Sequence, residues 1–184
     1  MELTLLSHAG RATRSLESDR LGLLQHEVLG LFDQYRDRLL RYLISIGLQS
    51  HDAEEIVQEV FLALFKHLQQ EKSRQNLRGW VFRVAHNLGL RHRSFARRTA
   101  AQDLSDCHVD PGPNPEQQLH ARQRQQRLLA VFQALPELDR WCLQLRSEGL
   151  RYREIAEVVG LSLGSVAQSL ERSLSRLASA DRRL

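Results

Sequence analysis

A chain of 184 residues, 42% hydrophobic but only 6% aromatic, can form one domain or two small ones with modest cores. Its net charge of +4 is segregated along the sequence, which favours a polyanionic partner. No apolar run approaches the roughly 20 residues that span a bilayer, and the first twenty residues lack a secretory pattern, so the expectation is a cytoplasmic protein without membrane insertion.

Residues 1–21 are polar and weakly patterned and read as a flexible N-terminal extension. An amphipathic helix is expected over about 22–46, where Leu24, Val28, Leu31, Phe32, Tyr35, Leu39, Leu43 and Ile46 recur every three or four positions. Gly47 suits a left-handed helix end, and Ser50 or Asp52 can cap the next helix.

That next helix, 52–68, sets Ile56, Val57, Val60, Phe61, Leu64 and Leu68 on one face. Glu55, Gln58, Glu59, Leu62 and Lys66 fall on the other. A solvated face normally avoids a large apolar residue, so Leu62 inside an acidic rim points to a protein partner. An ordinary amphipathic helix with one stray leucine would give the same pattern.

A third helix, 75–98, has the opposite electrical character. From Lys72 to Gln102 there is no Asp or Glu, while the span holds Lys72, Arg74, Arg78, Arg83, Arg91, Arg93, Arg97 and Arg98. These alternate with Trp80, Phe82, His86, Asn87, His92 and Phe95. Guanidinium forks, aromatic faces and an amide on one helix suit phosphates and unstacked bases. A merely solvated helix would mix both signs of charge.

From Thr99 to Ala121 the chain carries Asp103, Asp106, Asp110 and Glu116 but no Lys or Arg. Pro111, Pro113 and Pro115 alternate with Gly112 and Asn114, which excludes a continuous helix or a central strand. A flexible acidic linker is expected there.

Helical periodicity resumes through Leu128, Val131, Phe132 and Leu135. Pro136 suits the first turn of a helix bearing Leu138, Trp141, Cys142 and Leu145, which Gly149 closes. Tyr152 to Val159, Gly160-Leu161 and the stretch from Ser162 onward then have helix-turn-helix spacing. Tyr152, Ile155, Ala156 and Val159 would line the inner face, Gly160 the turn, and Ser162 the second cap. In the last helix Val166, Leu170, Leu174 and Leu177 are expected inside. Ser165, Gln168, Ser169, Arg172 and Arg176 are expected outside, where a recognition helix meets the major groove. A plain helical bundle would share that inner face; the turn spacing and small polar outer residues favour DNA.

The two cysteines, Cys107 and Cys142, form no Cys-x-x-Cys pair, and Cys107-His108 is too little for zinc. Cys142, beside Trp141, reads as a small core residue. There is no Gly-rich phosphate loop, no His-Glu-x-x-His and no nucleophile signature. Neither an enzyme nor a cofactor or metal is expected.

Asp52-Ala-Glu-Glu-Ile-Val-Gln-Glu-Val-Phe-Leu62, followed by Asn76-Leu-Arg-Gly-Trp-Val-Phe-Arg-Val-Ala-His-Asn87, resembles conserved region 2 of bacterial sigma factors. The resemblance is to the extracytoplasmic-function (ECF) group of the sigma-70 family. Leu135-Pro136, then Gly149-Leu-Arg-Tyr-Arg-Glu-Ile-Ala-Glu157 and Gly164-Ser-Val166, resemble region 4 of the same family. The resemblance implies an all-α protein of two small helical domains, region 2 over 22–98 and the region 4 helix-turn-helix over 122–184, joined by the linker 99–121. It also implies a transcription initiation factor without catalytic activity, whose partners are core RNA polymerase, promoter DNA and an anti-sigma factor.

On that basis Glu55, Gln58, Glu59 and Leu62 would meet the clamp helices of the largest polymerase subunit. Arg83, His86 and Asn87 would lie near bases of the −10 element, with Arg78, Trp80, Arg91, Arg93, Arg97 and Arg98 completing that surface. Ser165, Gln168, Ser169, Arg172 and Arg176 would face the −35 element, and the second domain would also meet the flap of the other large subunit. One departure from the family matters: Lys or Arg is usual early in the recognition helix, where this chain has Ala167 and Ser169. Fewer phosphate contacts imply weaker upstream binding. Two alternatives stay open, a sigma-like decoy and a conventional helix-turn-helix regulator. The second leaves the acidic helix and the acid-free arginine helix unexplained.

Overall fold

The structure is a computed structural model that describes the backbone of residues 2–99 and 115–182, with side chains over 19–96, 98 and 122–182. Among the described residues there are seven helices and no strand: α1 (Glu2–Ser45), α2 (Ser50–Gln69), α3 (Leu77–Thr99), α4 (Pro115–Gln133), α5 (Glu137–Ser147), α6 (Tyr152–Val159) and α7 (Leu163–Asp181). The all-α expectation holds. Two boundaries move. The stretch expected to be a flexible extension is continuous with α1, and α4 begins inside the expected linker, with Pro115 in its first turn, where a missing N–H has no helical partner to lose. Residues 100–114, with Asp103, Asp106, Cys107 and Asp110, lie outside the described residues, as do the side chains of Arg97 and Glu116.

Helices α1, α2 and α3 form the first bundle. Its core follows the apolar periodicity: Leu39 and Leu43 of α1, with Ile46 just past its end, meet Ile56, Val57, Val60, Phe61, Leu64 and Leu68 of α2, all buried. Each such side chain contributes about 1.5–3 kcal/mol on burial. Phe32 packs edge-on to Phe61 and Tyr42 edge-on to Phe82, with ring centroids 5.0 and 5.8 Å apart. Where α3 crosses α1, Gly89 lies so close that a Cβ would stand 3.0 Å from both Leu43 and Ile46 side chains. Asn76 caps α3, its Oδ1 accepting from the Gly79 N–H at 3.1 Å. Neither Ser50 nor Asp52 caps α2; the N-cap is Gln49, without a side-chain bond, and Asp52 reaches His92 at 3.7 Å instead.

Helices α4 to α7 form the second bundle, with Leu135, Cys142, Leu145, Leu150, Ile155, Val158, Val166 and Leu170 buried. Gly160 takes the left-handed turn at φ 70°, and Ser162 Oγ accepts from the Ser165 N–H at 3.1 Å, as the sequence requires of a helix-turn-helix. Three inner-face expectations are corrected. Tyr152 is exposed, with the Arg146 guanidinium 5.5 Å from its ring centre. Val158 is more deeply buried than Val159. Leu174 is 53% exposed while Ser173 is buried. The inward stripe of α7 runs Val166, Leu170, Ser173, Leu177, and Leu174 sits one position, about 100°, off it.

Candidate functional site

On α2 the outer residues stand as the spacing requires. Glu55, Gln58 and Glu59 are exposed, and Leu62 is 63% exposed among them. Beneath this face the buried stripe of α2 fixes the helix against α1, so the acidic rim and its leucine form a preset surface.

Helix α3 divides its polar residues between two stripes. Arg83, Asn87, Arg91, Ser94 and Arg98 are exposed and recur at intervals of three or four, which places them on one face. Displaced by five positions, about 140° round the helix, run Arg78, Phe82, His86, Gly89 and Arg93. This second stripe faces protein. Of the nine residues expected at the −10 surface, Arg83, Asn87, Arg91 and Arg98 are therefore presented to solvent. Trp80 is half-buried against the His67 ring, at a centroid distance of 4.8 Å.

His86 corrects the expectation of a base contact in this conformation. It is 3% exposed, with Nδ1 2.7 Å from the Tyr42 hydroxyl and its ring edge-on to Trp141 of the second bundle. Burial holds the Tyr42 hydroxyl protonated well above its ordinary range. Burial, and after it the Arg93 charge, lowers the His86 pKa to about 4. The imidazole is neutral and serves as part of a joint between the bundles.

That joint uses the remaining arginines of the stripe. Arg78 Nη2 donates to Glu154 Oε2 at 2.6 Å; the same carboxylate oxygen accepts the Arg151 N–H at 2.6 Å, at the start of α6. Arg93 donates to the Ile46 carbonyl at 2.7 Å and to Glu137 at 2.5 Å. Arg38 and Arg41 of α1 both donate to Glu148 at 3.2 Å, and the Gln144 amide donates to the Ser45 carbonyl at 3.2 Å.

The outer face of α7 is only partly as expected. Ser165, Gln168, Arg172 and Arg176 are exposed. Ser169 is buried, its hydroxyl donating to Asp139 Oδ1 at 2.7 Å, and Arg172 forks onto both oxygens of the same carboxylate at 2.8 Å. A buried carboxylate needs such partners, so one face of α7 is committed to holding Asp139. The basic character left for DNA is smaller than the count of arginines suggests. Asp139, Glu137, Glu148 and Glu154 carry no local pattern that marks them. Only Glu154, three residues after the Arg151 cap position, is legible as a capping residue.

The sigma-70 region 2 family matches residues 31–99 and the sigma-70 region 4 family matches residues 125–177. The chain is 32% identical over 151 residues to the ECF RNA polymerase sigma factor SigE of Mycolicibacterium smegmatis, covering 80% of this chain and 58% of that protein. It is 28% identical over 152 residues to the ECF RNA polymerase sigma factor RpoE of Cereibacter sphaeroides, covering 80% and 82% respectively. Among solved structures, the sigma factor RpoE of Bartonella quintana, in complex with the anti-sigma factor NepR, has the same fold at a TM-score of 0.60. It is 19% identical, over 85% of this chain and 94% of that one. With both regions matched in order on two helical bundles of this build, the chain belongs to the ECF group of the sigma-70 family.

Proposed function

We propose that the chain acts as an RNA polymerase sigma factor: it binds core polymerase, recognises −10 and −35 promoter elements and promotes melting at the start site. The observation that carries this reading is the exposed stripe of Arg83, Asn87, Arg91 and Arg98 on the same bundle as the exposed Leu62 and its acidic rim. One bundle thus offers a nucleic-acid face and a separate protein face. The α2 surface takes the clamp helices of the largest polymerase subunit. The α3 stripe takes the −10 element, with Asn87 and Arg83 at bases and Arg91 and Arg98 on phosphates. The second bundle takes the −35 element and the flap of the other large subunit. Melting needs no nucleotide hydrolysis, because bases extruded into protein pockets offset the few kcal/mol lost in unstacking. The protein contributes binding and positioning and no covalent chemistry of its own. Its place of work is the cytoplasm, with polymerase and chromosome. An anti-sigma factor is a further partner, in keeping with the complex in which the Bartonella quintana protein of this fold was solved.

A second reading, a decoy that occupies polymerase without starting transcription, is favoured by the commitment of Ser169 and Arg172 to Asp139. Transcription in vitro with purified core polymerase and a promoter library decides between them. Promoter-dependent transcripts support the sigma reading; core binding with no transcript from any promoter supports the decoy.

A further inference from the structure

Glu171 is an acid in the middle of the outer face of α7. It is exposed, about 140° round the helix from Val166 and about 160° from Ser173 of the buried stripe. An acid on a merely solvated helix face is commonly balanced by a base three or four positions away. Here those positions hold Ala167, Gln168, Leu174 and Ser175, and none carries a charge. The neighbouring cation, Arg172, is already forked onto both oxygens of Asp139 at 2.8 Å. Glu171 is thus left as an uncompensated carboxylate beside the exposed Gln168, on the face that a recognition helix turns to the major groove.

Phosphates repel such a charge, so on a surface for DNA it costs affinity unless a base meets it. A carboxylate only accepts hydrogen bonds. In the major groove guanine offers the acceptors N7 and O6, thymine the acceptor O4, and adenine sets its N7 acceptor beside its N6 amino group. Cytosine alone shows an amino group, N4, with no acceptor of its own beside it. We propose that Glu171 is a specificity-determining residue of the recognition helix, its carboxylate accepting from the N4 amino group of a cytosine in the upstream promoter element. The proposal rests on the sigma reading for the DNA that α7 meets.

The engagement of Arg172 completes the assignment. A free guanidinium fork pairs best with guanine O6 and N7, but the Asp139 carboxylate that holds Arg172 is only 3% exposed and needs that partner. Arg172 therefore supports the helix, and the base-reading group beside it is the acid. Gln168 and Glu171 are three residues apart, about 4.5 Å along the axis, against about 3.4 Å per base step. The cytosine should lie within one or two steps of the base that Gln168 meets.

The test uses holoenzyme reconstituted from the full chain and purified core polymerase. It is offered a library of promoter duplexes randomised across both elements, and the bound fraction is sequenced. With wild type, one upstream position should favour cytosine over guanine and thymine by about five- to tenfold. Glu171→Ala should abolish that preference while leaving the other upstream positions and the downstream element unchanged. Glu171→Gln should move it toward adenine, the base an amide pairs with. Both variants should bind unselected duplex about two- to fivefold more tightly, because a charge facing phosphates has gone. Glu171 is exposed, so helical circular dichroism and core affinity should match wild type. A cytosine preference that persists in Glu171→Ala overturns the proposal, even where all DNA is bound more tightly, since that marks a solvated acid. Enrichment at the downstream element with no cytosine preference upstream overturns the proposal and leaves the sigma reading standing. No enrichment at either element overturns the sigma reading and the proposal with it.

Discussion

Trp141 stands edge-on to His86 across the joint, with ring centroids 4.9 Å apart and planes at 77°. The enclosed imidazole also faces Tyr42 of α1, Arg93 of α3 and Glu137 of α5. Burial and then Arg93 lower its pKa to about 4, with Glu137 acting in the opposite direction. The folded protein therefore holds His86 neutral. A proton taken up below the ordinary value of about 6.5 favours any state in which the ring is wet.

The sign for pH follows directly. The stability that depends on neutral His86 is complete above about pH 6.5 and is lost as pH falls toward about 4, on the order of 3 kcal/mol in all. Thermal unfolding across this range should show wild type losing stability steadily. His86→Gln, which cannot be protonated, should start less stable near neutral pH but lose less on acidification. Identical pH slopes for the two proteins would show that another group carries the acid sensitivity.

Leu62 makes no demand on the fold, being 63% exposed. Leu62→Asp and Glu59→Arg should each weaken binding to core polymerase by about 1–3 kcal/mol, as expected of interface hot spots, with unaltered helical circular dichroism. Fluorescence polarisation against purified core gives the affinity. Wild-type affinity in both variants would assign core binding to another face.

On α3 the two kinds of contact separate by salt. Asn87→Ala and Arg83→Ala should impair opening of a promoter by holoenzyme more than they impair core binding. Arg91→Ala should weaken all DNA alike and reduce the salt slope by about one, the signature of a phosphate contact. Permanganate footprinting of the melted region and polarisation titrations at several salt concentrations give the two readouts. Full promoter opening by Asn87→Ala would remove that residue from the base-reading set.

Asp139 is the keystone of the recognition helix. Asp139→Ala leaves the Ser169 hydroxyl and the Arg172 guanidinium without their acceptor, and should destabilise the protein by about 2–3 kcal/mol. Gln168→Ala, on the exposed face of α7, should leave stability within about 0.5 kcal/mol and lower affinity for upstream promoter DNA. Chemical denaturation and DNA titration distinguish the two. If Gln168→Ala destabilises as much as Asp139→Ala, the division of α7 into a structural and a reading face is wrong.

Local pattern by itself determined the helices and the faces of the first bundle. The 3.6-residue recurrence of Ile56, Val57, Val60, Phe61, Leu64 and Leu68 required one buried side, and Leu62 was left outside it. Gly160 and Ser162 fixed the helix-turn-helix in the same way, because a left-handed turn and an N-cap are local requirements. What the tertiary structure decided was the use of the charges. An arginine reads the same in sequence whether it meets a phosphate or a carboxylate, and the glutamates that take Arg78 and Arg93 lie 76 and 44 residues away. His86 and Asn87 are neighbours in the chain, yet one is buried between Tyr42 and Trp141 and the other faces solvent, since consecutive helical positions differ by about 100° and the packing of α1 and of the second bundle chooses which is covered. Ser169 turned inward, and the exposed Arg172 bent onto the same carboxylate, for a related reason: the buried Asp139 must be paired, and its partners had to come from the facing helix.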